Sequence, residues 1–313
     1  MTEKVLITGS SGTIGTALFK RLREREDIEV KGLDISNNIF IPDLNSDTYN
    51  LNLLYLRDLE EIDEEFDKVV HLAAYPRVYR SVRDPSIARD NFMMLYNILE
   101  WSRKRDVDRF IFSSSREVYG NTEEPLKSEN NIDLKRSESP YSATKIGGES
   151  LLHSYSNCYN LDIIITRLSN IYGKYDFKDR VIPKWIYLAK NDEDLHLYGR
   201  EKSLDFTYIS DCIDALESLI QISTSKTAFN IGSGKSQTLN FLAEKIIEYT
   251  DSRSSIVIED SKKGEVEKYR SDLSRIKNSL NFYPQVELEE GLKKTLRWYE
   301  NNWKEFRRYA EWI

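Results

Sequence analysis

The sequence predicts an α/β protein: a doubly wound parallel sheet with helices on both faces, joined to a smaller mixed α/β lobe. Three observations predict it. Short β-branched runs alternate with longer amphipathic stretches through the first half of the chain. A glycine-rich loop separates the first run from the first amphipathic stretch. After about Asn170 the rhythm shortens and turn signals multiply. Alternating β and α segments imply parallel strands linked by crossover helices, and such sheets bind ligands beyond the carboxyl ends of their strands.

The runs Val5–Thr8, Glu29–Asp34, Lys68–Ala73, Arg109–Ser114 and Asp162–Arg167 read as buried strands. Between them, Ile14–Arg25, Ser86–Lys104 and Tyr141–Tyr159 carry helical spacing. Later, Gly173, Gly199, Gly232-Ser233-Gly234 and Gly264 mark turns, while Ser210–Gln221, Leu239–Tyr249 and Leu288–Tyr309 return to helical patterns. The pattern assigns residues 1–169 plus about 205–231 to the larger domain. It assigns about 170–204 and 232–313 to the smaller lobe, with a site in the cleft between them. Trp298, Trp303 and Trp312 read as packing surface.

Composition narrows the function classes. The chain has 313 residues and a net charge of −7, which disfavours nucleic acid as the main partner. No apolar run approaches the roughly 20 residues that span a bilayer, so no membrane association is expected. Cys158 and Cys212 give neither a disulfide framework nor a metal spacing, and the three histidines lack ligand spacing. No metal site is expected, and a cytoplasmic location is the default.

Gly9-Ser10-Ser11-Gly12-Thr13-Ile14-Gly15 follows the first strand and opens the first helix. Glycines there permit a tight turn, backbone approach to phosphate oxygens and close helix–strand packing. Free N–H groups and the helix dipole then favour a pyrophosphate. Asp34 ends the second strand about 20 residues on, where a carboxylate accepts hydrogen bonds from ribose hydroxyls. Its charge repels a 2′-phosphate, and Ile35-Ser36-Asn37 offers no cation to hold one. The predicted fold is therefore of Rossmann type and the cofactor is NAD.

Tyr141 and Lys145 stand at i and i+4 on one predicted helix face. An ammonium beside a phenol lowers the phenol's pKa. The phenolate can then take a proton from an alcohol as hydride leaves the same carbon. Ser113-Ser114-Ser115 closes a strand, where a hydroxyl can bond the reacting oxygen.

These motifs, in this order, resemble the extended short-chain dehydrogenase/reductase family of NAD-dependent nucleotide-sugar epimerases and dehydratases. The resemblance, which is of the UDP-glucose 4-epimerase-like kind, runs through His71-Leu72-Ala73-Ala74, Asp84-Pro85 with Asn91, and Val118-Tyr119-Gly120. It continues through Pro140-Tyr141-Ser142-Ala143-Thr144-Lys145, Arg167-Leu168-Ser169-Asn170 and Asp205-Phe206-Thr207. It implies that Tyr141 is the base, that Lys145 holds the nicotinamide ribose and tunes Tyr141, and that Ser115 bonds the sugar oxygen. It further implies that Asn52, Leu53, Leu72, Ala73 and Ala74 line the adenosine side, with Asn91 and Ser113 near the cofactor. A homodimer built on the helices near Ser86–Lys104 and Tyr141–Tyr159 is also implied.

On the substrate side the resemblance implies that Asn170, Tyr198, Tyr269 and a basic residue near Gly264, here Lys262 or Lys263, meet the nucleoside diphosphate. An arginine usual in the family is replaced by Leu204, for which Arg200 or Lys202 can substitute. Family chemistry begins with oxidation of the sugar C4 hydroxyl. C4 epimerisation then needs only Tyr141, Lys145, Ser115 and space. Glu117 occupies the place of the dehydratase base, which keeps 4,6-dehydration, C5 epimerisation and uronic acid decarboxylation open, but Arg116 stands where the dehydratase acid belongs. The sequence leaves open whether Glu117 moves protons or merely pairs with Arg116 or another neighbour. Epimerisation is the first expectation, with a non-catalytic NAD-binding sensor as the alternative of another class.

Overall fold

A computed structural model describes residues 2–176, 179–224 and 226–310, with the side chains of 307–310 excepted. Trp312 lies outside the described residues.

The centre is a seven-stranded, wholly parallel sheet. Five strands are β1 (Glu3–Thr8), β2 (Ile28–Asp34), β3 (Thr48–Asn50), β4 (Lys68–His71) and β5 (Arg109–Ser115). The spatial order is Thr227–Ile231, Asp162–Leu168, β5, β4, β1, β2, β3. The strand order reverses beside β1, so the loops after β1 and β4 flank a crevice, the position where open α/β sheets bind ligands. Val5, Leu6, Ile7, Phe110, Ile111, Ile163 and Ile164 are fully buried, as strands covered on both faces require.

The sequence reading finds the long elements and misjudges some ends. Ser86–Lys104 forms as predicted. β4 stops at His71, two residues early, because Leu72 and Ala73 turn out of the sheet to face Gly9. The predicted helix Leu288–Tyr309 is two helices, Leu288–Asn301 and Trp303–Ala310. The break is at Asn302, whose side chain bonds the Trp298 carbonyl at 2.8 Å. It lets Trp298 pack edge-on to Tyr175 while Trp303 stacks on Tyr187. Asn230 donates to the Lys127 carbonyl, and the Asp205 carboxylate accepts hydrogen bonds from the Ser233, Gly234 and Ser271 N–H groups.

Small sheets stand beside the large one. Ser203–Tyr208 runs parallel to Asn170–Tyr172 and antiparallel to Ser236–Thr238. Leu195–Tyr198 pairs with Ile256–Glu259, and Leu126–Lys127 pairs with Arg270–Ser271. No helix among the described residues is long and apolar enough to cross a membrane.

Candidate active site

One cavity of about 890 Å³ runs from the glycine loop to the smaller sheets. At its first end Gly9 has φ +72°, a left-handed conformation that glycine adopts freely. A Cβ on Gly15 would lie 2.0 Å from the Gly9 carbonyl oxygen, so only a glycine lets the first turn of helix Thr13–Arg23 nest on the loop. Gly12 caps that helix without a side-chain hydrogen bond, leaving first-turn N–H groups for a ligand. By contrast, helix Pro140–Tyr159 is closed by Ser139 and Ser142 in a reciprocal capping box.

Asp34 lies on the same rim. Its carboxylate accepts hydrogen bonds from the Ser11 and Ser36 N–H groups at 3.0 and 2.9 Å, and burial pushes its pKa up. Asn52, Leu53, Leu72, Ala73 and Ala74 line this half. The uncapped helix end, the glycine cradle and the carboxylate together fit a dinucleotide.

The middle of the cavity holds Ser115, Tyr141 and Lys145. The helix Pro140–Tyr159 is locked to β5 by a network hidden from local pattern. Ser114 Oγ donates to Glu149 at 2.5 Å, and Arg167 grips the same carboxylate with Nε and Nη2 at 3.0 and 2.7 Å. Removing one side of such a buried pair costs about 3–5 kcal/mol. Lys145 Nζ donates to the Ser113 carbonyl at 2.7 Å and sits 5.7 Å from the Tyr141 ring centre. Ser115 hydrogen-bonds the Tyr141 side chain.

Electrostatics here differ from the simple expectation that Lys145 lowers the Tyr141 pKa. Burial is the largest influence on both groups. It pushes Tyr141 up to about 12, with the Glu117 charge adding to the rise and the Ser115 hydrogen bond opposing it. It pushes Lys145 down to about 7, against the attraction of Glu149. His71, stacked on Phe112 and bonded to Thr8 at 2.7 Å, is held neutral by burial, with a pKa of about 3.

At the far end, Glu117 is fully buried and ion-paired with Arg116 at 2.9 Å. Its other oxygen accepts the Val266 N–H at 3.3 Å. Burial raises its pKa, the Arg116 charge lowers it, and Glu265 raises it further. Asn170 lines the cavity, yet its amide is occupied: Nδ2 donates to the Asp205 carbonyl at 3.1 Å and Oδ1 accepts Arg116 Nε at 3.3 Å. Tyr198, Leu204 and Lys262 also line this half.

Two residues expected at the site stand off the cavity wall. Tyr269 is fully buried, stacked on Tyr119 at 5.8 Å, and lies off the cavity wall. Asn91 also lies off the wall and instead clasps Tyr75, accepting its N–H at 2.7 Å and donating to its carbonyl at 3.1 Å. Both act from behind the lining, which spacing cannot reveal. Sequence reasoning missed Arg77, Asp179, Arg180 and Lys184, which line the cavity. Among the described residues no group of His, Cys, Asp or Glu side chains is arranged to hold a metal ion.

Comparison with known proteins agrees with this layout. Residues 5–232 match the model of the NAD dependent epimerase/dehydratase family. The structure superposes on a UDP-glucose 4-epimerase from Thermotoga maritima with a TM-score of 0.88 and 28% identity, covering 96% of this chain and 99% of that one. It superposes on a UDP-glucuronic acid 4-epimerase from Bacillus cereus, solved with UDP-glucuronic acid and NAD, with a TM-score of 0.87 and 26% identity over 96% and 99% of the two chains. A dTDP-glucose 4,6-dehydratase from Salmonella typhimurium is 29% identical, covering 96% of this chain and 93% of its own length. Epimerases and dehydratases are thus both near relatives, and this chain belongs to the NAD-dependent epimerase/dehydratase family.

Proposed function

We propose that the protein is a nucleotide-sugar C4 epimerase. The observation that carries this reading is the state of Glu117: its carboxylate is engaged by Arg116 and the Val266 N–H, and the neighbouring place holds a cation instead of an acid. Loss of water from the sugar needs a proton donor at that place, and a guanidinium does not give up its proton.

Gly9, Gly12, Thr13, Ile14, Gly15 and Asp34 would hold NAD, with Leu72, Ala73, Ala74 and Ser113 along its length. Bound NAD supplies reversible hydride acceptance at the sugar C4. Tyr141 Oη takes the C4 hydroxyl proton and later returns it, and Ser115 Oγ holds the same oxygen. Lys145 keeps a positive charge beside the phenolate. For that to operate, Tyr141 must fall from about 12 and Lys145 must stay protonated, so binding of ligands has to reverse the effect of burial on both. Between the two proton transfers the 4-keto sugar turns to present its other face.

We further propose that residues 1–169 with about 205–231 bind the cofactor while about 170–204 and 232–313 bind the substrate. The proposal includes a cytoplasmic homodimer formed through the helices around Ser86–Lys104 and Pro140–Tyr159.

A second reading rests on a specific feature: Glu117 lines the cavity and burial raises its pKa, as a C5 base requires. Incubating NAD-loaded protein with a panel of nucleotide sugars and identifying products by NMR separates the readings. A C4 epimer supports the proposal. A 4-keto-6-deoxy sugar, a C5 epimer or carbon dioxide transfers it to Glu117 chemistry. Tight NAD retention with no turnover of any sugar makes the protein a sensor.

A further inference from the structure

Three consecutive residues at the end of β5 meet three positions, about one helical turn apart, on the helix Pro140–Tyr159. Ser115 hydrogen-bonds the Tyr141 side chain, the Ser113 carbonyl accepts the Lys145 ammonium at 2.7 Å, and Ser114 Oγ donates to Glu149 at 2.5 Å. Tyr141, Lys145 and Glu149 are spaced i, i+4 and i+8, so they share one helix face. Tyr141 and Lys145 line the cavity, whereas Glu149 stands behind its wall.

Glu149 is 5% exposed and is held by more than Ser114. Arg167, on the neighbouring strand Asp162–Leu168, donates to both carboxylate oxygens. It also donates to Tyr119 Oη and the Glu129 carbonyl, at 3.1 and 2.7 Å. A buried network satisfied in this way is rigid, so it ties the helix to two strands at once. The two reacting side chains thus take their places from a residue off the cavity wall.

The charge of Glu149 is felt at Lys145 as well. Lys145 Nζ lies 4.7 Å from the centre of the Phe112 ring, with Tyr141 on its own helix and His71 on β4 as titratable neighbours. Burial holds His71 neutral, so His71 does not repel the ammonium. Burial lowers the Lys145 pKa, and Glu149 raises it against that. Arg167, bound to the same carboxylate, carries the opposite charge and offsets part of this attraction.

We propose that Glu149 is a positioning residue for proton transfer: through Ser114 it sets Tyr141 and Lys145 against Ser115 and Ser113, and its carboxylate supplies a counter-charge to Lys145 from behind the wall. This rests on the reading of Tyr141 as base with Lys145 charged beside it, and adds the residue that places both.

The first measurement needs no substrate. In NAD-loaded protein labelled with [ε-13C]lysine, NMR follows the titration of Lys145, whose signal is assigned by its absence from Lys145→Met. Glu149→Gln keeps the shape and removes the charge, leaving Arg167 unopposed. Lys145 is then expected to hold its proton at least about tenfold more weakly than in wild type. Because that variant strands a buried guanidinium, the paired exchange Glu149→Gln/Arg167→Met is made too, with a weakening of about threefold expected. Glu149→Asp and Ser114→Ala retain the charge and should stay within about twofold of wild type.

The second measurement is turnover against pH with the nucleotide sugar that wild type converts. Weaker proton binding at Lys145 means its charge is lost at lower pH, so the alkaline limb moves to lower pH in both glutamine variants. Glu149→Asp should return the limb to its wild-type place. Ser114→Ala should lower turnover by about tenfold at every pH without moving the limb. An unchanged Lys145 titration in both glutamine variants overturns the counter-charge, and unchanged turnover in Ser114→Ala overturns the positioning. If wild type converts no sugar, the nucleotide-sugar reading falls while the NMR titration still decides the role of Glu149.

Discussion

The two halves of the cavity are built by different means. The half around Gly9, Gly12 and Gly15 is a backbone construction: a strand end, a left-handed turn and an uncapped helix. The half around Arg116, Glu117, Lys184 and Lys262 is a side-chain construction, with charges drawn from segments up to about 150 residues apart. Backbone constructions tolerate few residue types at each place, so their sequences are recognisable. Side-chain constructions balance charge among several partners, and many combinations give the same net result.

The comparison can be broken first at the glycine loop. Gly15→Ala places a methyl carbon against the Gly9 carbonyl, and backbone on both sides leaves no flexible group to yield. NAD affinity is expected to fall by about a thousandfold, measured by fluorescence titration, while far-ultraviolet circular dichroism stays near wild type. Retention of NAD by this variant would show that the cradle tolerates side chains after all.

A smaller effect is expected at the junction of the halves. Tyr141→Phe should reduce turnover by at least about a hundredfold while NAD remains bound. The same variant sharpens the electrostatics. Burial raises the Tyr141 pKa to about 12, so the phenol is protonated throughout the neutral range in NAD-free protein. The difference in ultraviolet absorbance between wild type and variant should therefore show no phenolate at neutral pH without ligands. It should show phenolate at lower pH once NAD is bound. Near-normal turnover of the phenylalanine variant would remove Tyr141 from the base role.

The smallest effect is expected in the side-chain half. Glu117→Gln keeps the shape and removes the charge, and C4 epimerisation should change by no more than about threefold. The variant should also melt earlier, because Arg116 loses its buried counter-charge. A hundredfold loss of turnover would instead make Glu117 a proton-transfer residue and favour C5 chemistry.

Legibility follows the same division. The strands β1, β2, β4 and β5 and the helix Ser86–Lys104 could be read from spacing, and the lining by Asp34, Tyr141 and Lys145 from the motifs together with the resemblance they carry. Asn91 and Tyr269 were legible as motif members, yet their positions behind the wall were not. Motif identity does not say which face of the packing a side chain occupies. The helix break at Asn302 was invisible because the apolar pattern continues across it.

The sequence by itself determined a parallel α/β sheet, a dinucleotide loop and a tyrosine–lysine pair one helical turn apart. These are local, fixed by backbone sterics and by the helical repeat. Only the tertiary structure decided that Glu117 is engaged by Arg116 and that Lys202 is committed to Glu265. It also decided that burial is the largest influence on the Tyr141 and Lys145 pKa values. Ion pairing and desolvation depend on distances between segments far apart in the chain, and those distances exist only once the chain has folded.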